Sequence, residues 1–177
     1  PLLLKVKMLD QLITSKTRLR LLVKFFISQA NKGHLNGLAT EMSESTNSIR
    51  KELNHLYDAG YLNKSKYNNK IEYRVNTKHP LFKTLQKIVY KHLGLEDIID
   101  VVLERMGDVS QILIIGDYAK GIDSGKVEVI LVGKNLNFNY ISQLEKKIEK
   151  IITRKVGFFL TAKLPETKES LTIYSKN

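Results

Sequence analysis

The apolar residues of this chain obey two different spacing rules, and the change comes near Gly94. Before it they recur every three or four positions in short segments divided by polar, cap-forming residues, the pattern of small amphipathic helices. After it they run together, as in Ile112-Leu113-Ile114-Ile115 and Val129-Ile130-Leu131-Val132. A strand carries such a run only when both of its faces are covered. One core does not serve both patterns, and 177 residues suffice for two small ones.

In the first half, Ser15 is placed to cap a helix with apolar residues at 19, 22, 23 and 26, which Asn31-Lys32-Gly33-His34 ends. A short helix follows over Leu38–Ser43, with Leu38, Ala39 and Met42 inward. A third begins after Glu44-Ser45-Thr46-Asn47, has its apolar positions at Ile49, Leu53, Leu56 and Tyr57, and stops at Ala59-Gly60, where Gly60 is able to adopt a positive φ. Then come Tyr61 to Lys66, a turn at Tyr67-Asn68-Asn69, and a strand in which Ile71, Tyr73 and Val75 alternate with charged residues. Three helices and a basic hairpin predict a winged helix-turn-helix over residues 1–78.

Residues 79–106 read as linker and dimerisation helices: Leu81, Leu85, Ile88, Val89 and Leu93 form one stripe, Gly94 breaks it, and a second helix starts at Glu96. Residues 107–177 alternate apolar strands (111–115, 127–132, 156–160, 171–174) with an amphipathic helix over 141–152, which predicts a small α/β domain. The fold class is therefore a two-domain combination of α+β and α/β.

The charge divides at the same place. Residues 1–93 hold 17 Lys and Arg against 6 Asp and Glu, whereas residues 94–177 hold 12 of each, so the whole net charge of +11 lies in the helical half. That split points to a polyanion-binding module joined to a neutral one. The absence of cysteine excludes disulfides, thiolate zinc sites and thiol nucleophiles. His34, His55, His79 and His92 are scattered without ligand spacing, so neither a metal nor a cofactor is expected. Ser-His-Asp, P-loop and dinucleotide-binding glycine patterns are absent from the sequence. The apolar start Pro1-Leu2-Leu3-Leu4 is interrupted by Lys5 and Lys7, and no run approaches the roughly 18 residues of a membrane span. A cytoplasmic protein without membrane association is the expectation.

The segments Lys16-Thr17-Arg18, Leu38-Ala39, Asn47-Ser48-Ile49-Arg50 and Ala59-Gly60-Tyr61-Leu62 resemble winged-helix transcriptional regulators of the arsenical-resistance-repressor type. In the second half, Ile115-Gly116-Asp117-Tyr118-Ala119-Lys120-Gly121 followed by Lys126-Val127-Glu128 is similar to the signature of minimal nucleotidyltransferases. That signature is a Gly-Ser turn against the triphosphate, then an Asp-x-Asp pair opening a strand and holding Mg²⁺. Here Asp117 stands at the serine position, Lys126 replaces the first metal carboxylate, Glu128 keeps the second, and strand 156–162 offers no acid. Losing phosphate and metal contacts at several points removes most of the usual rate enhancement. The resemblance therefore implies a catalytically inactive domain serving assembly or ligand sensing, with degenerate-site residues Gly116, Asp117, Lys126 and Glu128. An Asp117–Lys126 ion pair closing the site is one expectation; a residual anion site at Lys120, Lys126 and the Gly116 turn is another.

For the first half the resemblance and the charge imply a regulator of transcription acting on double-stranded DNA. Thr46, Asn47, Ser48, Arg50 and Lys51 open the groove-entering helix, and Arg50 has the planar fork for guanine O6/N7. Asn47 caps the helix, reads adenine, or does both. Lys64, Lys66 and Lys70 arm the wing, and Lys16 and Arg18 meet phosphate at the first helix start. A homodimer would set two such helices one DNA turn apart. Two alternatives stand beside this reading: a Mg²⁺-dependent nucleotidyltransferase using Glu128 with an atypical acid such as Asp123, and a toxin–antitoxin or adaptor protein.

Overall fold

The computed structural model describes residues 9–166 and 169–176; Pro1–Leu4 lies outside the described residues. Two compact units form, Lys7–Val89 and Tyr90–Asn177, here described at their described residues.

The first unit runs α1 (Lys16–Phe26), β1 (Lys32–His34), α2 (Leu35–Met42), α3 (Thr46–Asp58), β2 (Leu62–Tyr67), β3 (Lys70–Val75) and most of α4 (Phe82–Leu93). Ser15 caps α1 by accepting from the Arg18 amide at 3.1 Å, as its position suggested. The cap of α3 is Ser45, not Asn47: its hydroxyl accepts from the Ser48 amide at 3.1 Å, which puts Asn47 inside the first turn. Helix α2 begins three residues earlier than the apolar pattern indicated, because Lys32–His34 pairs with β3 rather than forming a loop. Three residues carry too little pattern to announce a strand. The sheet order is β1-β3-β2, all antiparallel.

Asn68 and Asn69 both take positive φ (46° and 59°), the two-residue turn that matches strand twist. The core is Leu21, Phe25, Phe26, Ile27, Leu38, Ile49, Leu53 and Leu62, each at most 1% exposed, with the Phe26 ring 5.9 Å from Phe82. Ile71 is 50% exposed, unlike Tyr73 and Val75, because it sits one position from the hairpin turn, where less of the unit covers it. On α4, Phe82 and Val89 are buried, while Ile88 stays 39% exposed and Leu81, just before the helix, 46%.

The second unit holds α5 (Leu95–Arg105), β4 (Asp108–Ile115), α6 (Gly116–Ala119), β5 (Lys126–Lys134), α7 (Ile141–Ile152), β6 (Lys155–Thr161) and β7 (Ser170–Ser175). Gly94 at φ 76° makes the bend before α5, and a Cβ there would collide with Ile152. Its sheet is mixed, in the order β6-β5-β4-β7, with only β5 and β6 parallel. Central β4 and β5 are buried on both faces, which accounts for their continuous apolar runs; the edge strands β6 and β7 are mostly half-buried or exposed. Among the described residues, no helix is long and apolar enough to cross a membrane.

Candidate nucleic-acid interface

The acids of the first unit select which of its cations stay available. Glu52 is 6% exposed on α3; its carboxylate accepts from Arg18 Nε at 2.7 Å and from Ser15 Oγ at 2.9 Å. Burial alone would raise this carboxyl, but the Arg18 and Ser15 hydrogen bonds and the Arg18 charge outweigh burial and hold it below the ordinary value. Glu44 holds Arg20 at 2.9 Å, Glu41 holds the buried Lys24 at 2.8 Å, and Glu72 holds both Lys32 (3.1 Å) and Arg74 (2.9 Å). These pairs tie α1 to α2 and α3, and β1 to β3.

Of the candidate DNA contacts, Arg18 is thus engaged inside the unit, with a further 3.3 Å contact to His55 Nδ1. The others fall differently. Lys16, Arg50, Lys51, Lys64, Lys66 and Lys70 are all exposed, and none makes an ion pair among the described residues. Asn47 Oδ1 accepts from Arg50 Nη1 at 3.3 Å, so Asn47 orients the guanidinium one helical turn away. Ser48 is bonded to Ser45 by both its amide and its hydroxyl, whereas Thr46 is exposed at the helix start. The Lys64 ammonium lies 3.9 Å from the centroid of the Tyr57 ring, a cation–π contact that fastens the hairpin to α3.

Three of these cations share a groove. Between α3 and the hairpin lies a concavity of about 390 Å³ lined by Arg50, Lys64 and Lys70 and by apolar Leu35, Leu53, Ile71 and Tyr73. His34, Asn36 and Asn54 complete it, and no acid does. Sequence reasoning missed these three. Asn54 was accessible, being one turn from Arg50 on the same helix face. His34 and Asn36 had no signal, because the first ends the unforeseen β1 and the second lies in the first turn of α2, which starts earlier than the apolar pattern indicated.

In the second unit, Gly116 follows β4 at φ 67°, and a Cβ there would collide with the Glu128 carboxylate, which register places beside Ile115. The expected Asp117–Lys126 pair is not formed. Lys126 Nζ instead lies 3.2 Å from Glu128 Oε1, because residues two apart on a strand project from one face. Asp117 has no ion pair among the described residues, and Lys120 lies 3.2 Å from Glu169.

Asp123, the acid of the nucleotidyltransferase alternative, is occupied elsewhere. Arg154, 9% exposed in its side chain, donates to it through Nη2 (2.6 Å) and Nε (3.0 Å), and the buried Tyr118 hydroxyl donates as well. Burial pulls the Asp123 carboxyl upward, but Arg154 more than reverses this and holds it below the ordinary value. Tyr118 is raised, first by burial and then by the Asp123 hydrogen bond. Arg154 also donates to the Ile152 carbonyl at 3.1 Å, so this trio fixes the loop after α6 to the end of α7. Groups of His, Asp and Glu arranged to hold a metal ion are absent among the described residues.

No family model and no curated protein matches the sequence. Among solved structures, the chain is similar to the AntR antimony-specific transcriptional repressor at 21% identity and TM-score 0.39, over 54% of this chain and 79% of that one. It is also similar to Sso10a-2, a DNA-binding protein from Sulfolobus solfataricus, at 16% identity and TM-score 0.34, over 51% of this chain and 94% of that one.

Proposed function

We propose that this chain is a DNA-binding transcriptional regulator of the winged-helix type, whose second unit is a catalytically inactive nucleotidyltransferase-like domain used for assembly or ligand sensing. One observation carries the reading: acids neutralise the framework cations Arg18, Arg20, Lys24, Lys32 and Arg74, and leave α3 and the hairpin, as well as Lys78, Lys83 and Lys87, with positive charge that has no ion pair among the described residues. Solvated surface lysines would not require such a partition, whereas a phosphate-facing surface does.

In this scheme α3 enters the major groove with Thr46, Asn47, Arg50 and Lys51 toward the bases. Arg50, aimed by Asn47, reads guanine. Lys16, Lys64, Lys66 and Lys70 meet phosphates and set the register. The exposed Leu81, immediately before α4, and Ile88 on it, seven residues on, supply apolar surface for a homodimer. In the second unit the Lys126–Glu128 pair occupies the position of the metal carboxylates, and Asp123 is committed to Arg154. Both observations weigh against the nucleotidyltransferase alternative.

The test is selection of bound fragments from random double-stranded DNA by the full chain. Enrichment of a motif with two half-sites about 10 base pairs apart is expected. Equal affinity for selected and random DNA overturns the assignment. Labelled nucleoside triphosphates with Mg²⁺ and candidate acceptors should give no transfer product.

A further inference from the structure

The groove between α3 and the hairpin is more than a phosphate-contacting surface needs. Lysines that meet a DNA backbone can stand on a convex face, since each neutralises one phosphate independently. Here the surface is concave: a half-open groove of about 390 Å³, within the size range of small-molecule sites, in which apolar side chains stand beside the cations. Arg50, Lys64 and Lys70 converge there with no acid to balance them. Ile71, 50% exposed, supplies most of the accessible apolar surface with part of Leu35, while Leu53 (1%) and Tyr73 (8%) form the packed floor beneath them. The side-chain amide of Asn54 makes no hydrogen bond among the described residues and remains available to a ligand.

We infer that this groove is a binding site for a small amphiphilic anion, a phosphate or carboxylate on a compact ring or aliphatic body, and that occupancy excludes DNA. The anion would neutralise Arg50, Lys64 and Lys70 while the body covers Ile71 and the exposed part of Leu35, above the floor of Leu53 and Tyr73. The competition rests on the DNA-binding reading above; the site itself does not. An effector held here needs no conformational change to act, because it takes the charges that DNA would use.

Phenyl phosphate is the probe, with inorganic phosphate and benzyl alcohol as the anionic and apolar halves. Methyl NMR of the full chain should show phenyl phosphate shifting Leu35, Leu53 and Ile71, with about tenfold tighter binding than inorganic phosphate. Ile71→Ser, at an exposed position, should erase that preference, and Lys70→Gln should weaken both anions. At matched ionic strength, phenyl phosphate should displace DNA more strongly than inorganic phosphate. Equal affinity for the two anions, or shifts confined to other methyl groups, overturns the site. DNA binding that phenyl phosphate leaves undisturbed overturns the competition while the regulator reading stands. Occupancy of the groove in a chain that binds no DNA upholds the site and refutes that reading.

Discussion

Replacing Arg18 with alanine leaves a carboxylate in the core of the first unit without its main partner. Glu52 has a side chain only 8% exposed, against 41% for Arg18, so the two ends of the pair are solvated very differently. Removing one partner of a fully buried pair costs about 3–5 kcal/mol. Here Ser15 Oγ remains at 2.9 Å, and water reaches the Arg18 side, which lowers the expected loss for Arg18→Ala to about 2 kcal/mol. Glu52→Ala leaves a cation that water solvates and costs about 1 kcal/mol. The less buried residue is thus the more sensitive one.

Two units in one chain make global unfolding a poor measure, so the assay is amide exchange at Ile49 and Leu53 on α3. Arg18→Ala should speed exchange about 30-fold and Glu52→Ala about fivefold. The Glu52 carboxyl lies below its ordinary value when folded, so its contribution is full above the unfolded value and disappears as pH falls through the folded one. The difference between wild type and Arg18→Ala should accordingly close in acid. Exchange unchanged in Arg18→Ala, or the opposite ranking, refutes the reasoning. A loss of about one unit in the salt slope of DNA binding would instead make Arg18 the phosphate contact that its position first suggested.

Three further outcomes are expected. Arg50→Ala should weaken binding to the selected DNA by about 1–3 kcal/mol with little change for random DNA, whereas Lys66→Gln should lower both and reduce the salt slope by about one, as read by titration at several salt concentrations. Arg154→Gln should destabilise the second unit by about 2–3 kcal/mol and Tyr118→Phe by about 1, measured by exchange at Val127 and Val129; equal effects would refute the hierarchy. Glu149 and Glu145 accept from the outward amides of Val156 (3.1 Å) and Phe158 (3.3 Å) on edge strand β6. Their double replacement by alanine should expose this edge and produce concentration-dependent association in sedimentation. The Val156 amide and Lys155 hold the Glu149 carboxyl below its ordinary value, so wild type should associate only when pH falls beneath the usual carboxylate range.

Local chemistry was readable in the sequence where it is self-contained. Ser15 caps α1, the Asn68-Asn69 turn has both φ values positive, and Gly60 and Gly94 lie in the left-handed region, because each depends on a few adjacent residues. The continuous runs at 112–115 and 129–132 announced strands buried on both faces, since only coverage from both sides makes such runs soluble. The charge division was equally plain, because counting needs no geometry.

Which charges are free was a tertiary decision. Glu52 lies three residues from both Ile49 and His55 on one helix, but its partner Arg18 is 34 positions away, and no local pattern encodes that meeting. The same holds for Lys126, which turned to Glu128 on its own strand, and for Asp123, drawn to Arg154 across 31 positions. Strand β1 exists only because β3 offers it an edge, and it brings His34 into the groove, with Asn36 following in the first turn of α2. The sequence by itself determined most of the elements and the sign of the surface. The tertiary structure decided which carboxylate meets which cation, because ion pairing depends on separations of a few ångströms that chain order does not specify.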